Sequence, residues 1–599
     1  MLPGASCFLR IFGPSGLVDT RLLTGLVLGF TFVLCVASTR VYAVELSVVV
    51  TGVDGPVLTN VMTLLDIARE KDGEKLKSSR VRKLHVVAPQ QIKDALQPFG
   101  YYRAQVSGEL VEGEDKLSAS YHVIPGPEIT VADVDVRLTG AGAAVFTDLV
   151  DNFPVRKGQV FLHQPYEKAK QELLRAAARN GYLDAQFTRR AVTVNLATYT
   201  VAVVLHMDTG SQYKFGPVEF VQTPEAVFRD DFLMGFVTIE PGQMFRRRAL
   251  LDLQNRFNDS QYFSGVSVSA NRQDAQALSI PIRVELTANK QHRYRFGAGF
   301  GTDTGPRASF GYARRVNPDG HLLDSDLKLS TKSSVASIQY LIPLADPVAE
   351  RLALGTSFVD ESTDSRDSRI IKTSAKRTLM RSGWLESVSV NFEAEDFQVG
   401  DEDGRSTLLY PAANWSRIDT DDRLFPTRGW RLGFDLLGAE ESLGSDATFL
   451  QARGAGKWIK TLSPRSRILV RGELGITALA AVDDLPGSKR FFAGGDQSVR
   501  GYEFEALGPK NALGEVIGGK YLVVGSAEYE RRLRGNWGAA VFVDAGNAFN
   551  DMGESLKKSV GLGVRYRSPV GPIRVDIAHP LGDDDEGGIQ LHVVIGPDL

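Results

Sequence analysis

The second half of the chain alternates apolar and polar residues with a period of two, segment after segment. From Arg293 to Gly301, the residues Tyr294, Phe296 and Phe300 share one face, while arginines and glycines share the other. Further segments of this kind are GWRLGFDLL, SVGLGVRYR and GPIRVDIA. Successive side chains of a β-strand point to opposite faces, so each strand has one charged face. A soluble sandwich packs apolar faces on a shared core, whereas a charged inner face in every strand is typical of a barrel surrounded by lipid.

The connections between these segments give the barrel an orientation. About 16 segments lie between residues 291 and 597, and we predict a 16-stranded antiparallel transmembrane β-barrel over residues 290–599. Compact turns (RVNPDGH, IPLADP and RSPVGP) alternate with longer polar links (DESTDSRDS, GAEESLGSD and the stretch from 480 to about 518). Short turns of such barrels face the periplasm. The amino-terminal half joins on the short-turn side, so we expect it in the periplasm.

The first 43 residues have the features of an export signal. Arginines precede an apolar run from Leu22 to Ala37, and VYA at residues 41–43 fits a cleavage site for small residues. We predict a signal peptide over residues 1–43; a membrane anchor is the alternative. The chain's two cysteines, Cys7 and Cys35, both lie in this segment. The mature chain would therefore contain no cysteine, which suits an exported protein that does not depend on disulfides.

An aromatic marker recurs through the first half of the chain. Tyr101, Tyr182 and Tyr262 are spaced 81 and 80 residues apart, and each lies between a helix-like and a strand-like segment. A second marker, KGQVF at 157–161 and PGQMF at 241–245, opens a helical stretch each time. This spacing indicates tandem α+β modules with one strand, helices and two further strands. The predicted modules cover residues 44–125, 126–208 and 209–289. Their exposed sheet edges could accept an extended client as an added strand.

The longest predicted loop of the barrel carries an isolated arginine. In GGDQSVRGYEFEALGP, Arg500 lies between Val499 and the pair Gly501 and Tyr502. The glycines of this stretch would let the loop fold back into the lumen. A guanidinium in a confined space requires a carboxylate in bidentate geometry.

A carboxylate that could receive this arginine follows soon after. In GAAVFVDAGNAF, the residues Phe542, Asp544 and Gly546 share one face, so Asp544 points into the lumen and Gly546 leaves room beside it. We predict an Arg500–Asp544 pair that holds the loop against the inner wall. The alternative is that Arg500 is solvated and Asp544 pairs with another arginine of the lumen.

SVRGYE, followed one loop later by FVDAG, resembles the BamA/TamA superfamily of outer-membrane insertases. DDRLFPTRGW at 421–430 is similar to the turn motif of that superfamily. Three modules, the barrel opening GTDTGPRASFGY and the terminal GPDL favour its TamA branch. The resemblance implies that the modules are POTRA domains and that an Arg-Gly-aromatic loop tip docks on an inward aspartate. The matching positions are Val499, Arg500, Gly501 and Tyr502 in the loop, and Phe542, Asp544 and Gly546 in the receiving wall.

The resemblance also implies a function and partners. The implied function is an insertase or translocation factor that assembles autotransporters and other β-barrel proteins by strand templating at a lateral seam. The implied partners are a TamB-like inner-membrane-anchored protein, unfolded outer-membrane protein clients, and outer-membrane lipid and lipopolysaccharide.

The seam of such a barrel would lie between its first and last strands, predicted near Arg293–Gly301 and Ile589–Gly596. Inward glycines add little packing to the first strand, and Gly596-Pro597 removes a hydrogen-bond donor near the end of the last. We therefore predict a short, weak seam. The predicted seam residues are Arg293, Arg295, Gly297 and Gly299 on one side and Ile589, Leu591, Val593 and Ile595 on the other.

Other functions receive less support from the sequence. A two-partner-secretion exporter usually carries two modules and a plug helix, and a passive porin would not need three modules. A lipid-transfer barrel working with the inner-membrane partner stays open. The net charge of −3 gives no support to a nucleic-acid partner. The eight histidines are scattered, and no GxSxG motif occurs, so we expect neither an enzyme nor a metal or cofactor. The acidic run at 583–586 is expected in an exposed loop, where it could bridge lipopolysaccharide through divalent ions.

Overall fold

The structure, a computed structural model, describes residues 45–70, 78–113, 116–479, 484–569, 571–582 and 588–595. The predicted signal peptide, the acidic run at 583–586 and Gly596-Pro597 lie outside these residues. The chain forms two compact units. The first unit contains the residues up to Val134 together with Pro154–Lys168 and Ala191–Val203, and the second contains the rest.

Three small sheets with helices make up the amino-terminal half. The elements of the first are β1 (Glu45–Thr51), α1 (Gly55–Leu64), α2 (Asp66–Arg69), α3 (Ser78–Leu96), β2 (Gln105–Glu112) and β3 (Lys116–Ile124). Those of the second are β4 (Thr130–Thr139), α4 (Thr147–Asp151), α5 (His163–Arg179), β5 (Gln186–Asn195) and β6 (Thr200–Asp208). Those of the third are β7 (Lys214–Thr223), α6 (Asp230–Met234), α7 (Arg247–Asn258), β8 (Phe263–Ser269) and β9 (Ser279–Ala288). In each sheet the last strand lies in the middle, which leaves the first two strands as edges.

The predicted order of strand, helices and two strands is therefore confirmed. Helix periodicity explains how the helices bury one face: Leu253 and Phe257, four residues apart on α7, are both fully buried. Around them lies an aromatic core in which the rings of Phe236 and Phe257 stack at 4.7 Å. Of the helices in the described ranges, none is long and apolar enough to cross a membrane.

The third module is bound to two turns of the following domain. The Tyr262 hydroxyl donates a hydrogen bond to the Gly320 carbonyl at 2.9 Å, and burial raises the pKa of Tyr262 to about 12. Arg256 donates to Asp346 in the next turn at 2.9 Å. The Phe232 ring packs against Gly320, where any Cβ would overlap it. These contacts fix the third module to the barrel that follows.

Residues 292–595 form a closed antiparallel barrel of 16 strands in sequence order, as predicted. The first eight strands are β10 (His292–Gly301), β11 (Gly305–Arg315), β12 (Leu322–Ser330), β13 (Ser333–Pro343), β14 (Glu350–Ser362), β15 (Arg366–Arg381), β16 (Trp384–Val399) and β17 (Glu402–Thr420). The last eight are β18 (Gly429–Ala439), β19 (Phe449–Ser463), β20 (Ser466–Ala478), β21 (Tyr521–Arg532), β22 (Trp537–Phe549), β23 (Lys557–Ser568), β24 (Gly571–Leu581) and β25 (Gln590–Ile595).

The predicted faces of the barrel strands are confirmed. On β10 the outward ring of Phe296 is 80% exposed, whereas Arg295 bonds with Asp324 on the inner side at 2.6 Å. On β22 the outward Val543 is 53% exposed, and the inward Asp544 is 3% exposed. Lipid can therefore cover an apolar outer surface while charged groups pair inside.

One predicted link was wrong in length. DESTDSRDS was predicted as a long connection, but β14 runs to Ser362 and β15 begins at Arg366, so only residues 363–365 connect them. A strand is held by its backbone hydrogen bonds, so polar side chains do not end it. Where the strand extends beyond the membrane, water satisfies these side chains. Three neighbouring strands, β15, β16 and β17, accordingly reach 16, 16 and 19 residues, whereas a tilted membrane strand needs about 9–11.

The turn between β17 and β18 is organised by Asp421. Its carboxylate accepts hydrogen bonds from the backbone N–H groups of Thr427 at 2.9 Å and Arg428 at 3.2 Å, and from the Thr427 hydroxyl. The Thr427 hydroxyl bond, assisted by the backbone bonds, lowers the pKa of Asp421 from 3.8 to about 2.

Replacing Asp421 with alanine is expected to loosen this turn. A folded-state pKa below the unfolded one gives stability that is present above about pH 4 and is lost as the pH falls through about 2. At pH 7 we expect amide exchange at Thr427 and Arg428 to rise by about tenfold in Asp421→Ala, the effect of losing a hydrogen bond to a charged group. Near pH 2, amide exchange at Thr427 and Arg428 in the wild-type protein should approach the exchange in the variant at the same pH. Equal exchange in both proteins at pH 7 would refute the capping role.

Candidate functional site

The loop between β20 and β21, residues 479–520, is the longest connection in the described barrel, and its tip lies in the lumen. At the tip, Val499, Arg500 and Tyr502 are buried. Gly501 lies so close to the wall that a Cβ there would be 2.5 Å from the Cβ of Ser559. Glycine is therefore required at this position by close approach.

The rest of the loop is fastened to the opposite wall. The Arg490 guanidinium donates to both carboxylate oxygens of Glu402 on β17, at 2.9 and 2.8 Å. Glu505 accepts from the Thr363 hydroxyl at 2.9 Å, and its backbone carbonyl accepts from the Ser365 hydroxyl at 2.9 Å. Glu505 has a positive φ of 58°, a strained conformation for a residue other than glycine. The loop is thus anchored to the wall at Arg490 and Glu505 as well as at its tip.

The structure brings Arg500 and Asp544 together. Arg500 Nε donates to Asp544 Oδ2 at 2.8 Å and Nη2 donates to Oδ1 at 2.9 Å, which is the bidentate geometry. The backbone N–H of Arg500 also donates to Oδ2, at 3.1 Å. The Arg500 Cζ atom lies 3.3 Å from the centre of the Phe542 ring. With 4% exposure, Arg500 is not solvated.

Three further side chains complete the binding of the guanidinium. Nη1 donates to Glu528 at 2.7 Å and to Asp576 at 3.2 Å, and Nη2 donates to the Ser526 hydroxyl at 3.2 Å. All five N–H groups of Arg500 therefore have an acceptor, which satisfies a buried cation completely. The acceptors come from β21, β22 and β24, so one side chain joins three strands to the loop.

The excess negative charge around Arg500 is partly offset by a second arginine. Arg565 on β23 donates to Glu528 at 2.5 Å and to Glu530 at 3.0 Å, and it also bonds Asp576. Carboxylates shared between two arginines form a network that is more favourable than separate pairs when every member is satisfied.

A third arginine holds the loop by its backbone. Arg471 on β20 donates to the carbonyls of Asp496 at 3.0 Å and Ser498 at 2.6 Å. It also lies 4.0 Å from Asp544, so the alternative partner for this aspartate is present as a secondary contact. Val499 and Tyr502 pack in one apolar cluster with Leu522 of the wall.

One predicted member of the receiving wall has a different role. Gly546 lies on the inner face of β22, but a Cβ there would be 2.7 Å from the Val523 carbonyl. The space that Gly546 provides is therefore for the neighbouring strand β21, and no atom of the loop is among its nearest atoms. That Gly546 leaves room beside Asp544 stays a prediction, and the contact with β21 is a second reason for glycine at this position.

Three partners of Arg500 were not predicted from the sequence: Ser526, Glu528 and Asp576. The signal was present, since Ser526 and Glu528 alternate along β21 and Asp576 lies on the charged face of β24. Alternation tells which face a residue takes, but it does not tell which strands meet at the loop tip.

Among the described residues, the barrel closes between β10 and β25 at a single ladder pair, Gly301 with Val594. The backbone N–H of Thr302 donates to the Val593 carbonyl at 3.1 Å, just beyond the end of β10. Every other pair of neighbouring strands matches six or more residues, as β24 and β25 do. The last strand begins one residue later than predicted, because Ile589 precedes its first residue, Gln590.

The predicted seam residues do not pair with one another across the seam. The side chain of Arg293 donates to Gln261 of the third module at 2.8 Å, and Arg295 bonds with Asp324 and Asp326 of β12. Gly297 and Gly299 have no ladder partner on this side in the part of the chain that the structure describes. Of the predicted residues on β25, Val593 bonds across the seam through its backbone, to Thr302. Leu591 and Ile595 have no ladder partner on β10 among the described residues.

Comparison with known proteins identifies the family. The Omp85 superfamily domain matches residues 262–598, more than half of the chain. The chain belongs to the Omp85 superfamily. In this Omp85 protein, residues 47–125 also match a family described as domain 1 of the TamA POTRA domains. The amino-terminal modules are thus POTRA domains, as the resemblance implied.

Similar proteins include outer membrane protein assembly factors called BamA. The one from Neisseria meningitidis serogroup B is 25% identical over 504 residues, 71% of this Omp85 chain and 62% of the relative. The one from Nitratidesulfovibrio vulgaris is 23% identical over 394 residues, 60% and 48% of the two chains. The chain therefore spans less than two thirds of the length of these relatives.

A solved structure shares the fold. BamA from Haemophilus ducreyi lacking POTRA domains 1–3 superposes with a TM-score of 0.66 and 17% identity, covering 78% of this Omp85 chain and 99% of that one. A POTRA-bearing Omp85 barrel lies in the outer membrane with its POTRA domains in the periplasm, which confirms the predicted location. Within the described ranges, no group of three or more His, Cys, Asp or Glu side chains could hold a metal ion.

Proposed function

We propose that this Omp85 protein assembles outer-membrane β-barrel proteins by offering the free edge of β10 as a template for client strands. The observation that carries the proposal is the seam, where the described residues of β10 and β25 share one ladder pair. Among the residues that the structure describes, which end at residue 595, the backbone hydrogen-bonding groups of residues 292–300 of β10 have no strand partner on that side. These groups face the membrane at the point where a client would enter it.

The physical reason for templating is the cost of bare backbone in lipid. Each unpaired N–H or C=O group in the bilayer costs several kcal/mol. A client strand that pairs with β10 as it inserts satisfies its own groups and those of the template together. Edge pairing depends on main-chain groups, so the template can accept clients of different sequence.

Several partners are part of the proposal. The clients are unfolded outer-membrane proteins, autotransporters among them, and a TamB-like inner-membrane-anchored protein binds the POTRA domains or the seam. The match of residues 47–125 to a TamA POTRA family supports the TamA branch. We propose POTRA boundaries at 44–125, 126–208 and 209–289, with lipid and lipopolysaccharide around the barrel of residues 290–599. Templating by hydrogen bonds needs no catalytic group or cofactor.

Site-specific photocrosslinking tests the proposal. Phe296 on β10 is outward and 80% exposed, so a photoreactive phenylalanine analogue there should not disturb packing. In proteoliposomes given a urea-unfolded barrel client, we expect this position to capture the client during assembly. The crosslink should form at the client's terminal strands. Irradiation after folding is complete should give no crosslinked product.

Phe434 provides the matched control. It is also an outward phenylalanine, 47% exposed, but lies on β18, which is paired on both sides. Capture at Phe296 and not at Phe434 supports templating at the seam. Equal capture at both positions, or capture only by lumen-facing probes, would contradict it; the second result would favour a two-partner-secretion exporter. Lipid transfer without client capture would favour the lipid-transfer barrel.

A further inference from the structure

A buried histidine lies where the loop meets both sides of the seam. His592 is on β25, points inward and is 4% exposed. Its Nε2 atom is 2.7 Å from the backbone carbonyl oxygen of Arg500. A carbonyl oxygen only accepts, so Nε2 carries the proton and donates this bond. The same peptide segment that carries the docked guanidinium is thereby fastened to the last strand.

The other side of the seam holds the loop through a carboxylate. Asp303 follows β10 in the turn to β11, and it accepts the backbone N–H of Asp496 in the loop at 2.5 Å. Gly495 has a positive φ of 96°, and a Cβ there would be 2.5 Å from Asp303 Oδ2. Glycine is therefore needed for the loop to approach this carboxylate.

The two contacts meet at the histidine. Asp303 Oδ1 lies 3.5 Å from His592 Nδ1, and Nδ1 has no hydrogen-bond partner. Among the described residues, ladder pairing across the seam is limited to Gly301 with Val594, and Thr302 and Val593 bond beside it. The polar chain from β10 through Asp303, the loop backbone and His592 to β25 is consequently a large part of what joins the two strands.

We propose that His592 is a positioning residue that ties docking of the loop to closure of the seam. With the loop docked, the Arg500 carbonyl and the Asp496 amide hold β25 and β10 at the same place. When the loop leaves, both bonds are lost together, and the described contacts that remain are the Gly301–Val594 pair and the bonds between Thr302 and Val593 beside it. As far as it concerns client entry, this inference rests on the proposed function; the coupling of loop and seam does not.

Distance measurements between spin labels test this coupling without any client. Labels on cysteines at Ala298 of β10 and Leu591 of β25, both on the outward face, report the width of the seam. In His592→Ala we expect the mean distance to lengthen by about 5 Å, one strand spacing. Labels at Val541 and Leu562, which are direct partners in the continuous wall, should report no change.

Two amide variants separate the two contacts of the imidazole. His592→Gln places an amide donor near the position of Nε2, so it should keep the bond to the Arg500 carbonyl and the wild-type distance. His592→Asn places its amide near Nδ1, so it should lose that bond and widen the seam. If the side chain only filled space, the smaller Asn and the larger Gln would not differ in seam width according to the position of the amide donor.

A second variant tests the coupling in case His592→Ala does not fold. Gly495→Ala displaces Asp303 from the loop side and should widen the seam while His592 is intact. Heat-modifiable migration on gels will show that each barrel is folded. An unchanged distance in folded His592→Ala, or equal distances in the Gln and Asn variants, would overturn the inference. If the seam widens as expected but Phe296 captures no client, the proposed function fails and the coupling stands.

Discussion

Replacing Arg500 with alanine is expected to release the loop from the wall and to abolish most client assembly while the barrel stays inserted. The side chain is 5% exposed and pairs with Asp544, Glu528 and Asp576. Its removal leaves carboxylates in a dry site with too little positive charge. Removing one partner of a buried ion pair typically costs about 3–5 kcal/mol, which is roughly a hundred-fold or more in the docking equilibrium.

Protease accessibility of the loop and assembly of a barrel client in vesicles are the two measurements. Arg500→Lys should fall between the wild type and Arg500→Ala, because an ammonium keeps the charge but cannot make the planar bidentate bond. Arg431 on β18, an exposed residue on the charged face, is the matched control, and Arg431→Ala should behave as the wild type. If Arg500→Ala assembled the client normally and its loop were as protected from protease as in the wild type, Arg500 would have no role in docking the loop.

A disulfide across the seam is the second large effect. Gly301 and Val594 are direct partners, and Cα atoms of such antiparallel pairs lie about 4.5–5.5 Å apart, within the range that a disulfide spans. We expect Gly301→Cys with Val594→Cys to stop assembly under oxidising conditions, because the strand that must part from β10 is covalently held. Reduction should restore assembly.

A cysteine pair within the continuous wall provides the control. Val543 and Val560 are direct partners on β22 and β23, and a disulfide between them crosses no opening. The predicted mature chain contains no native cysteine, so each pair can form only the intended bond. Assembly that continues at the same rate in the fully oxidised seam variant would mean that the barrel does not open between β10 and β25.

The barrel and its faces could be predicted because alternation is a local property. Whether Phe296 faces lipid and Arg295 faces the lumen follows from the parity of two neighbours along one strand. The same parity placed Asp544 inward, and the isolated Arg500 on its glycine-rich loop pointed to it. Strand number followed from counting such segments.

The rest of the site depends on which distant strands meet, and parity contains no such information. Glu528, Asp576 and His592 each lie on the expected face, but only the closed barrel brings them around one loop tip. Strand ends were also missed, as at Ser362, because the ladder continues into water without an apolar signal. Gly546 shows a further limit, since a glycine can be required by a neighbouring strand or by a loop.

The uneven height of the barrel has a consequence for its exposure on the cell. The ladders of β15 to β17 exceed the span of a membrane strand by roughly 15–25 Å, and the turn at their outer end bonds to the loop, as Asn511 does to Asp401 at 2.7 Å. These three strands are the longest of the described barrel, so this part of the wall extends furthest beyond the membrane. Because Glu402, Thr363 and Ser365 at this end also bind the loop, a substitution there is expected to loosen the docked loop as well as the outer rim of the barrel.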